Sequence, residues 1–274
     1  MSAVLDYFNQ KSGQYDDTDK QSYWRFSDEL LWDLLSRFVL PKNRRESFSF
    51  LDAGGGTGRW SFRIFEAYPE AGGSVVDLSD GMLGVARSKF KRYGFENRAR
   101  CILDDVCRMD RVPEDEFDLA ICFHNVIGFV SDYRKAIERI SNKLKTGGKI
   151  ALMAPSYYHA LYFCNANNRH DELKRIIEER HVCYNDQMPP LRVFEIPEVI
   201  DLLSEAGFAA ATPYGFPTTF YPGMNETFLQ GESEDIVDLL GQSTTDLLEI
   251  EKALCAQPHL ASRGNNILYC AEKI

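Results

Sequence analysis

The sequence predicts an α/β chain: a doubly wound, mostly parallel sheet of seven strands with a lid inserted after the fifth. Three observations predict it. Apolar runs of strand length alternate with helical periods between residues 48 and 155. A glycine-rich turn follows the first of those runs and opens a helix. The alternation breaks at residues 156–194 and then resumes to the end of the chain.

Each element has its own signal. Trp24, Leu30, Leu31, Leu34, Leu35 and Phe38 recur at a helical period over 21–39, and Pro41 with the basic KNRRE stretch closes that helix. Residues 1–47 are thus expected to form an N-terminal helical cap. The run FSFLDAG (48–54) reads as a buried strand entering a tight turn, and residues 58–68 return to helix, stopped near Pro69. SVVDLS (74–79) is the second strand. Ser79 and Asp80 cap a helix whose apolar face is Met82, Val85, Ala86 and Phe90, with Gly94 as its stop. RCILDDV (100–106) and FDLAICFHNV (117–126) are the third and fourth strands. Ser131 and Asp132 open a helix with Tyr133, Ala136, Ile137, Ile140 and Leu144 on one face; Gly147-Gly148 ends it, and KIALMAP (149–155) is the fifth strand. Right-handed crossovers then leave few ways to order the sheet.

After Pro155 the chain turns aromatic and polar, and 156–194 reads as a lid above the sheet. Residues 195–274 form a closing α/β unit. Pro197, Val199, Ile200 and Leu203 lie on a helix ended by Gly207, FAAATPYG (208–215) is a strand, and 216–232 is an aromatic loop. Residues 233–256 read as helix with a break near Gly241, and NILYCAEK (266–273) is the last strand. The whole reads as a single domain around a ligand-binding core at 48–155.

Composition excludes several classes. A chain of 274 residues is ample for one core with a lid. Its 31 Lys and Arg against 41 Asp and Glu give a net charge of −10, so no general attraction to nucleic acid or an anionic membrane is expected. No apolar run is long enough to span a bilayer, and the N-terminus lacks the pattern of a secretory leader. The seven cysteines, odd in number and without a C-x-x-C pair, read as reduced thiols of a cytoplasmic protein. Cys122 and Cys270 sit in strand-like runs as packing residues. The histidines 124, 159, 170, 181 and 259 lack ligand spacing, so no metal is expected.

The chemistry lies in Leu51-Asp52-Ala53-Gly54-Gly55-Gly56-Thr57-Gly58, between the first strand and its helix. Glycines there let backbone N–H groups approach a ligand closely, and the helix N-terminus adds positive potential. Asp77, at the end of the second strand, can accept both hydroxyls of a ribose. A dinucleotide fingerprint would require glycine where Arg59 stands, which disfavours a nicotinamide-dependent oxidoreductase.

The spacing D-x-G-x-G-x-G, on Asp52, Gly54, Gly56 and Gly58, resembles that of class I S-adenosylmethionine (SAM)-dependent methyltransferases of Rossmann-like fold. The resemblance continues in order through VVDLSDGML, ILDDV, FDLAICFHNVIGFV and LKTGGKIALMAP. It implies SAM as the methyl donor and S-adenosylhomocysteine (SAH) as its product. It also implies Asp77 on the ribose and Leu78 beside the adenine, with Asp105 accepting from the adenine amino group and the Val106 N–H meeting the ring. Adjacent Asp104 points to the opposite side of an extended chain. Phe123 and His124 would line the meeting point of methyl and acceptor.

A sulfonium methyl is already activated, so positioning and desolvation can carry most of the catalysis. His124 is the candidate catalytic residue. It could act as a base, orient the acceptor, bond the donor's carboxylate end or simply pack. Arg25 either reaches across to the donor's carboxylate or stays solvated. Tyr157, Tyr158, His159 and Tyr162 open the lid and form either an acceptor pocket or the lid's own core. Arg192, the nearly solitary cation of HVCYNDQMPPLRVFEIPEV (181–199), joins them as a substrate-binding candidate.

More weakly, the whole chain resembles bacterial methyltransferases that esterify the carboxymethoxy group of a tRNA wobble uridine. The shared words are LDAGGG, DLS, FH followed by V-x-D, and the tail LLEIEKALCAQPHLASRGNNILYCAEK (247–273). Those enzymes carry a Lys/Arg-rich stretch before the terminal unit, as phosphate contacts require. Here that stretch is absent, and DELKRIIEER (171–180) balances its charges. The expected acceptor is therefore a small molecule, with tRNA as the less favoured partner and a non-catalytic SAM-binding scaffold as the reading from another class.

Overall fold

The structure, a computed structural model, describes residues 3–228 and 244–274. A seven-stranded sheet runs through it in the order β3-β2-β1-β4-β5-β9-β8. The strands are β1 (Ser49–Ala53), β2 (Gly72–Asp77), β3 (Ala99–Leu103), β4 (Phe117–Cys122), β5 (Leu144–Pro155), β8 (Thr212–Phe216) and β9 (Asn266–Glu272). Only β9 runs antiparallel to its neighbours, β5 and β8. This is the doubly wound, mostly parallel sheet expected from the sequence.

Its strands are apolar on both faces because helices cover both. On one face Phe50, Val75, Leu119, Ile121 and Met153 pack with helices α2 (Ser22–Phe38), α3 (Arg59–Ala67) and α4 (Asp80–Arg92). On the other, Leu51, Val76, Ala120, Cys122, Ile150 and Leu152 meet α6 (Tyr133–Lys143) and α9 (Ile196–Glu205). Odd and even strand positions thus divide between two cores, the period-2 rule applied to a sheet buried on both sides. The order reverses between β1 and β4, and a crevice opens there at the carboxyl ends of the strands.

The caps act as expected: the Ser79 side chain accepts from Met82 N at the start of α4, and the Asp132 side chain accepts from Lys135 N at the start of α6. Two boundaries differ. The sixth helix ends at Lys143, and Leu144 opens β5 by pairing with Phe117 across a register shift, so the double glycine lies inside the strand. The strand expected from 208 begins at Thr212, Phe208 making only an isolated bridge to Lys273. All seven cysteines are unpaired; Cys122 is buried and Cys270 half-buried. The helix expected over 233–256 is seen as α10 (Thr244–Cys255); its first residues and the break near Gly241 lie outside the described residues.

The insertion is a small subassembly. Helices α7 (Tyr157–Ala166) and α8 (His170–Glu179) and a short hairpin, β6 (His181–Val182) with β7 (Leu191–Arg192), close around Phe163, Ile176, Val182 and Leu191. At the other end of the chain, α1 (Ala3–Lys11) and a 3-10 helix (Ser12–Lys20) lie over the crevice as a strap.

Candidate active site

The crevice holds a chamber of about 400 Å³, within the range of small-molecule sites. Asp52, Gly54, Gly56, Asp77, Leu78, Asp105, Val106, Phe123 and His124 all line it. Gly54 has φ +74°, and a Cβ there would stand 2.5 Å from a methyl of Val126. Gly56 has φ +55° and donates its N–H to Asp77 Oδ2 at 2.9 Å. Gly58, the N-cap of α3, is also left-handed, but unlike the other two it does not line the chamber: a Cβ there would stand 2.6 Å from the Phe90 ring. The other Asp77 oxygen accepts from Ser79 N at 2.8 Å. Each oxygen keeps a further lone pair for a ligand hydroxyl. Leu78 is 45% exposed, an apolar side chain standing at the chamber wall.

The two acidic residues after β3 divide their work. Asp104 accepts from Arg111 N and Asp105 N, while Asp105 bonds Cys107 N and lines the chamber. Buried Asp52 accepts from Ser61 Oγ at 2.6 Å. Burial pushes its carboxyl up to about 7, against the Ser61 hydrogen bond that pulls it down.

The strap closes the chamber from above with Val4, Leu5, Phe8 and Tyr15. Its polar ties are few. Asp16 accepts from Thr57 Oγ1 at 2.6 Å and pairs with Lys89 at 2.5 Å, and Asn9 Oδ1 accepts from Ser79 Oγ at 2.5 Å. Thr57 and Ser79 belong to the glycine turn and to the turn after β2, and Lys11 adds a bond to Gln187 of the insertion at 3.1 Å.

His124 and Asn125 occupy consecutive left-handed conformations, φ +52° and +67°, at the turn between β4 and the short helix α5 (Val126–Phe129). The Trp60 indole donates to His124 Nε2 at 2.6 Å. An indole N–H can only donate, so Nε2 is the acceptor and a neutral ring carries its proton on Nδ1. Burial, aided by the nearby Arg59 charge, pushes the imidazole down to about 3. A ring held this way is a neutral hydrogen-bond donor through Nδ1, which argues against the base among the roles considered for His124. Trp60 itself follows directly after the glycine turn; as the residue after Arg59 it was open to notice, but an indole at a helix start carries no motif.

A second chamber, of about 150 Å³, meets the first at Phe8, Tyr15, Arg59, His124 and Phe129. His159 lines it, but Tyr157, Tyr158 and Tyr162 do not. Tyr157 stacks under the Arg180 guanidinium, and Tyr158 and Tyr162 are half exposed. Arg192 lines neither chamber: it pairs with Glu198 and lies over Tyr133 and Phe194, bracing the insertion against α9. Arg25 also lines neither chamber. It is exposed on α2, its guanidinium near Ser22 Oγ, and the cation at the junction is Arg59, ion-paired with Asp28. Sequence reasoning also passed over Glu226, a buried carboxylate of the second chamber, because the loop before α10 has no pattern that assigns it a direction.

Known proteins match this architecture. Residues 50–148 match a family described as a methyltransferase domain. The tRNA 5-carboxymethoxyuridine methyltransferase of Escherichia coli (strain K12) is 30% identical over 136 residues, 48% of this chain and 48% of its own. The trans-aconitate 2-methyltransferase of Methylobacterium nodulans is 30% identical over 142 residues, 51% of this chain and 50% of its own. The chain thus spans about half the length of the curated relatives it matches. Among solved structures, a SAM-dependent methyltransferase of Thermotoga maritima, described as a possible histamine N-methyltransferase, superposes with a TM-score of 0.61. The match covers 99% of this chain and 100% of that one at 15% identity. Haemonchus contortus phosphoethanolamine N-methyltransferase 2, in complex with SAH and phosphomonomethylethanolamine, gives 0.57 over 90% of this chain and 52% of its own at 16% identity. The chain has the Rossmann-like fold of these solved structures, and residues 50–148 are similar to a methyltransferase domain. No helix among the described residues is long and apolar enough to cross a membrane, and no described cluster could hold a metal ion.

Proposed function

We propose that this protein transfers a methyl group from SAM to a small-molecule acceptor. The observation that carries this reading is the pair of joined chambers, the larger on the glycine turn and the smaller beyond His124, both closed by the strap. The larger fits SAM by its donor set. Asp77 keeps lone pairs for ribose hydroxyls, Leu78 and Val106 offer apolar walls for the adenine, and Asp105 faces the same end. Gly56, where a Cβ would meet nothing closer than 3.9 Å, leaves the turn open to a ligand.

SAM supplies an activated methyl on a sulfonium. The chain's own residues then have three tasks: to hold the acceptor in line, to exclude water, and to keep polar groups where charge changes. Phe8 and Phe129 make the junction apolar, and the His124 ring there is fixed by Trp60 with its proton on Nδ1. Methylation of a group that is already a lone-pair nucleophile at working pH needs no more than this.

Transfer to tRNA is the second reading, favoured by the match to the Escherichia coli enzyme and by the tail at 247–273. Against it stands the electrostatics. In the insertion, Arg175, Arg180 and Arg192 pair with Glu172, Glu195 and Glu198, and Arg169 bonds the Tyr184 carbonyl. Cations already paired contribute little to phosphate binding on a chain of net charge −10. The test is incubation with methyl-labelled SAM and two acceptor pools, under-modified tRNA and a low-mass cell extract. Label is expected in a low-mass product. Label in RNA would overturn the small-molecule reading, and SAM binding with no labelled product would favour the scaffold.

A further inference from the structure

The second chamber has a volume, a shape and a polarity that together specify an occupant. A volume of about 150 Å³ is that of a cavity known to take one benzene ring. Its walls are flat and apolar: Phe8, Phe129, Phe163, Met153 and Leu191 face it. Its polar atoms lean one way. Asn125 Oδ1, which can only accept, is buried with no hydrogen-bond partner among the described residues. Both ring nitrogens of His159 are likewise buried and unpartnered, on a residue only 4% exposed. Buried polar atoms of this kind are rare in folded proteins unless something else satisfies them. Glu226, also 4% exposed, takes Gly223 N on Oε2 and faces the chamber. The tyrosine hydroxyls at the wall can serve either role. The cation at the rim, Arg59, is ion-paired with Asp28.

We infer that this chamber binds a single planar ring bearing a hydrogen-bond-donating hydroxyl or amine, and that it discriminates against a carboxylate. A ring's donor satisfies Asn125 Oδ1 or His159, and its faces fill the aromatic slot. A carboxylate would be buried near Glu226 without an uncommitted counter-charge, the arrangement most penalised in a low-dielectric site. The inference names the acceptor class for the methyl transfer proposed above and rests on that reading for the ring's fate, but not for its binding: an amine attacks through its free lone pair, and a hydroxyl would pass its proton to the unpartnered His159 nitrogen as the methyl's C–S bond breaks.

The test is therefore direct binding to the full chain loaded with SAH, with phenol and benzoate as probes at neutral pH. Phenol is expected to bind about tenfold or more tighter than benzoate. Glu226→Gln should narrow that gap by strengthening benzoate binding. His159→Phe should abolish phenol binding with SAH affinity intact, and His159→Gln, which keeps a donor and an acceptor, should retain most of it. Benzoate binding as well as phenol, neither probe binding at millimolar concentration, or phenol binding unmoved by His159→Phe would each overturn the inference. Ring binding in a chain that fails to bind SAH would instead overturn the methyl-transfer reading and leave this one standing.

Discussion

The two chambers share a wall at His124 but are made differently. The larger chamber is built mainly from turns that follow β1, β2, β3 and β4. The smaller chamber is gathered from the strap, the turn after β4, the end of β5, the insertion, the loop around Glu226 and the start of β9. The first depends on backbone conformations that few residue types allow. The second depends on side chains whose direction only the finished fold decides. One design tolerates little change in sequence; the other can be respecified by substituting a few side chains.

That contrast can be broken most severely at the glycine turn. Gly54→Val puts a branched side chain at φ +74° and into Val126. SAH affinity should fall by roughly 100-fold, about 2.7 kcal/mol, measured by calorimetry. Circular dichroism should report an intact fold, since the turn lies beyond the carboxyl end of β1 rather than within the sheet. An unchanged affinity would mean that the turn is a bare connection between strand and helix.

Removing residues 1–20 tests what the chambers have in common. The strap's ties to Thr57, Ser79 and Lys89 and its apolar cover are lost together. Affinity for SAH should fall by about tenfold and phenol binding should disappear. Loss of SAH binding alone would show that the strap belongs only to the donor side.

The smallest effect sharpens the electrostatic difference. Burial raises Asp52 to about 7 in the folded chain from an ordinary value of 3.8. The sign follows from linkage: its contribution to stability is fully present below pH about 3.8 and is lost as pH rises through about 7. A cationic donor bound beside Asp52 favours the ionised carboxyl, so SAM binding at pH 6.5 should release roughly half a proton. Calorimetry in buffers of different ionisation enthalpy measures it. Asp52→Asn should abolish the release; a release that survives this substitution would place it on another group.

How much of this was legible follows the same division. The mostly parallel sheet and the chamber residues Asp52, Gly54, Gly56, Asp77, Leu78, Asp105 and Val106 could be placed from sequence because short turns bind residue type to position, while the order of the strands came only with the structure. The insertion could not be read to that depth. Tyr158 and Tyr162 lie four residues apart on one face of α7, and His159 and Phe163 four apart on the next. In a helix aromatic nearly all round, nothing in the sequence says which face turns inward; packing against Tyr184 and Tyr221 decides it. Arg25 and Arg192 fail for a related reason. A cation's reach covers several neighbours, and the nearest carboxylate or solvent claims it before a distant ligand does. Arg59 was visible as a misfit to a dinucleotide fingerprint, yet its bond to Asp28 depends on how α2 crosses α3.

The turn at His124 and Asn125 has a consequence for how this protein can change over time. Two successive non-glycine residues in the left-handed region each cost about 1 kcal/mol or more. Glycine at either place would relieve that cost. It would also delete the imidazole at the junction of the chambers or the uncommitted Asn125 Oδ1 that lines the smaller one. Heat tolerance and recognition are therefore opposed at this turn, and a lineage adapting to high temperature would have to find its added stability elsewhere in the molecule.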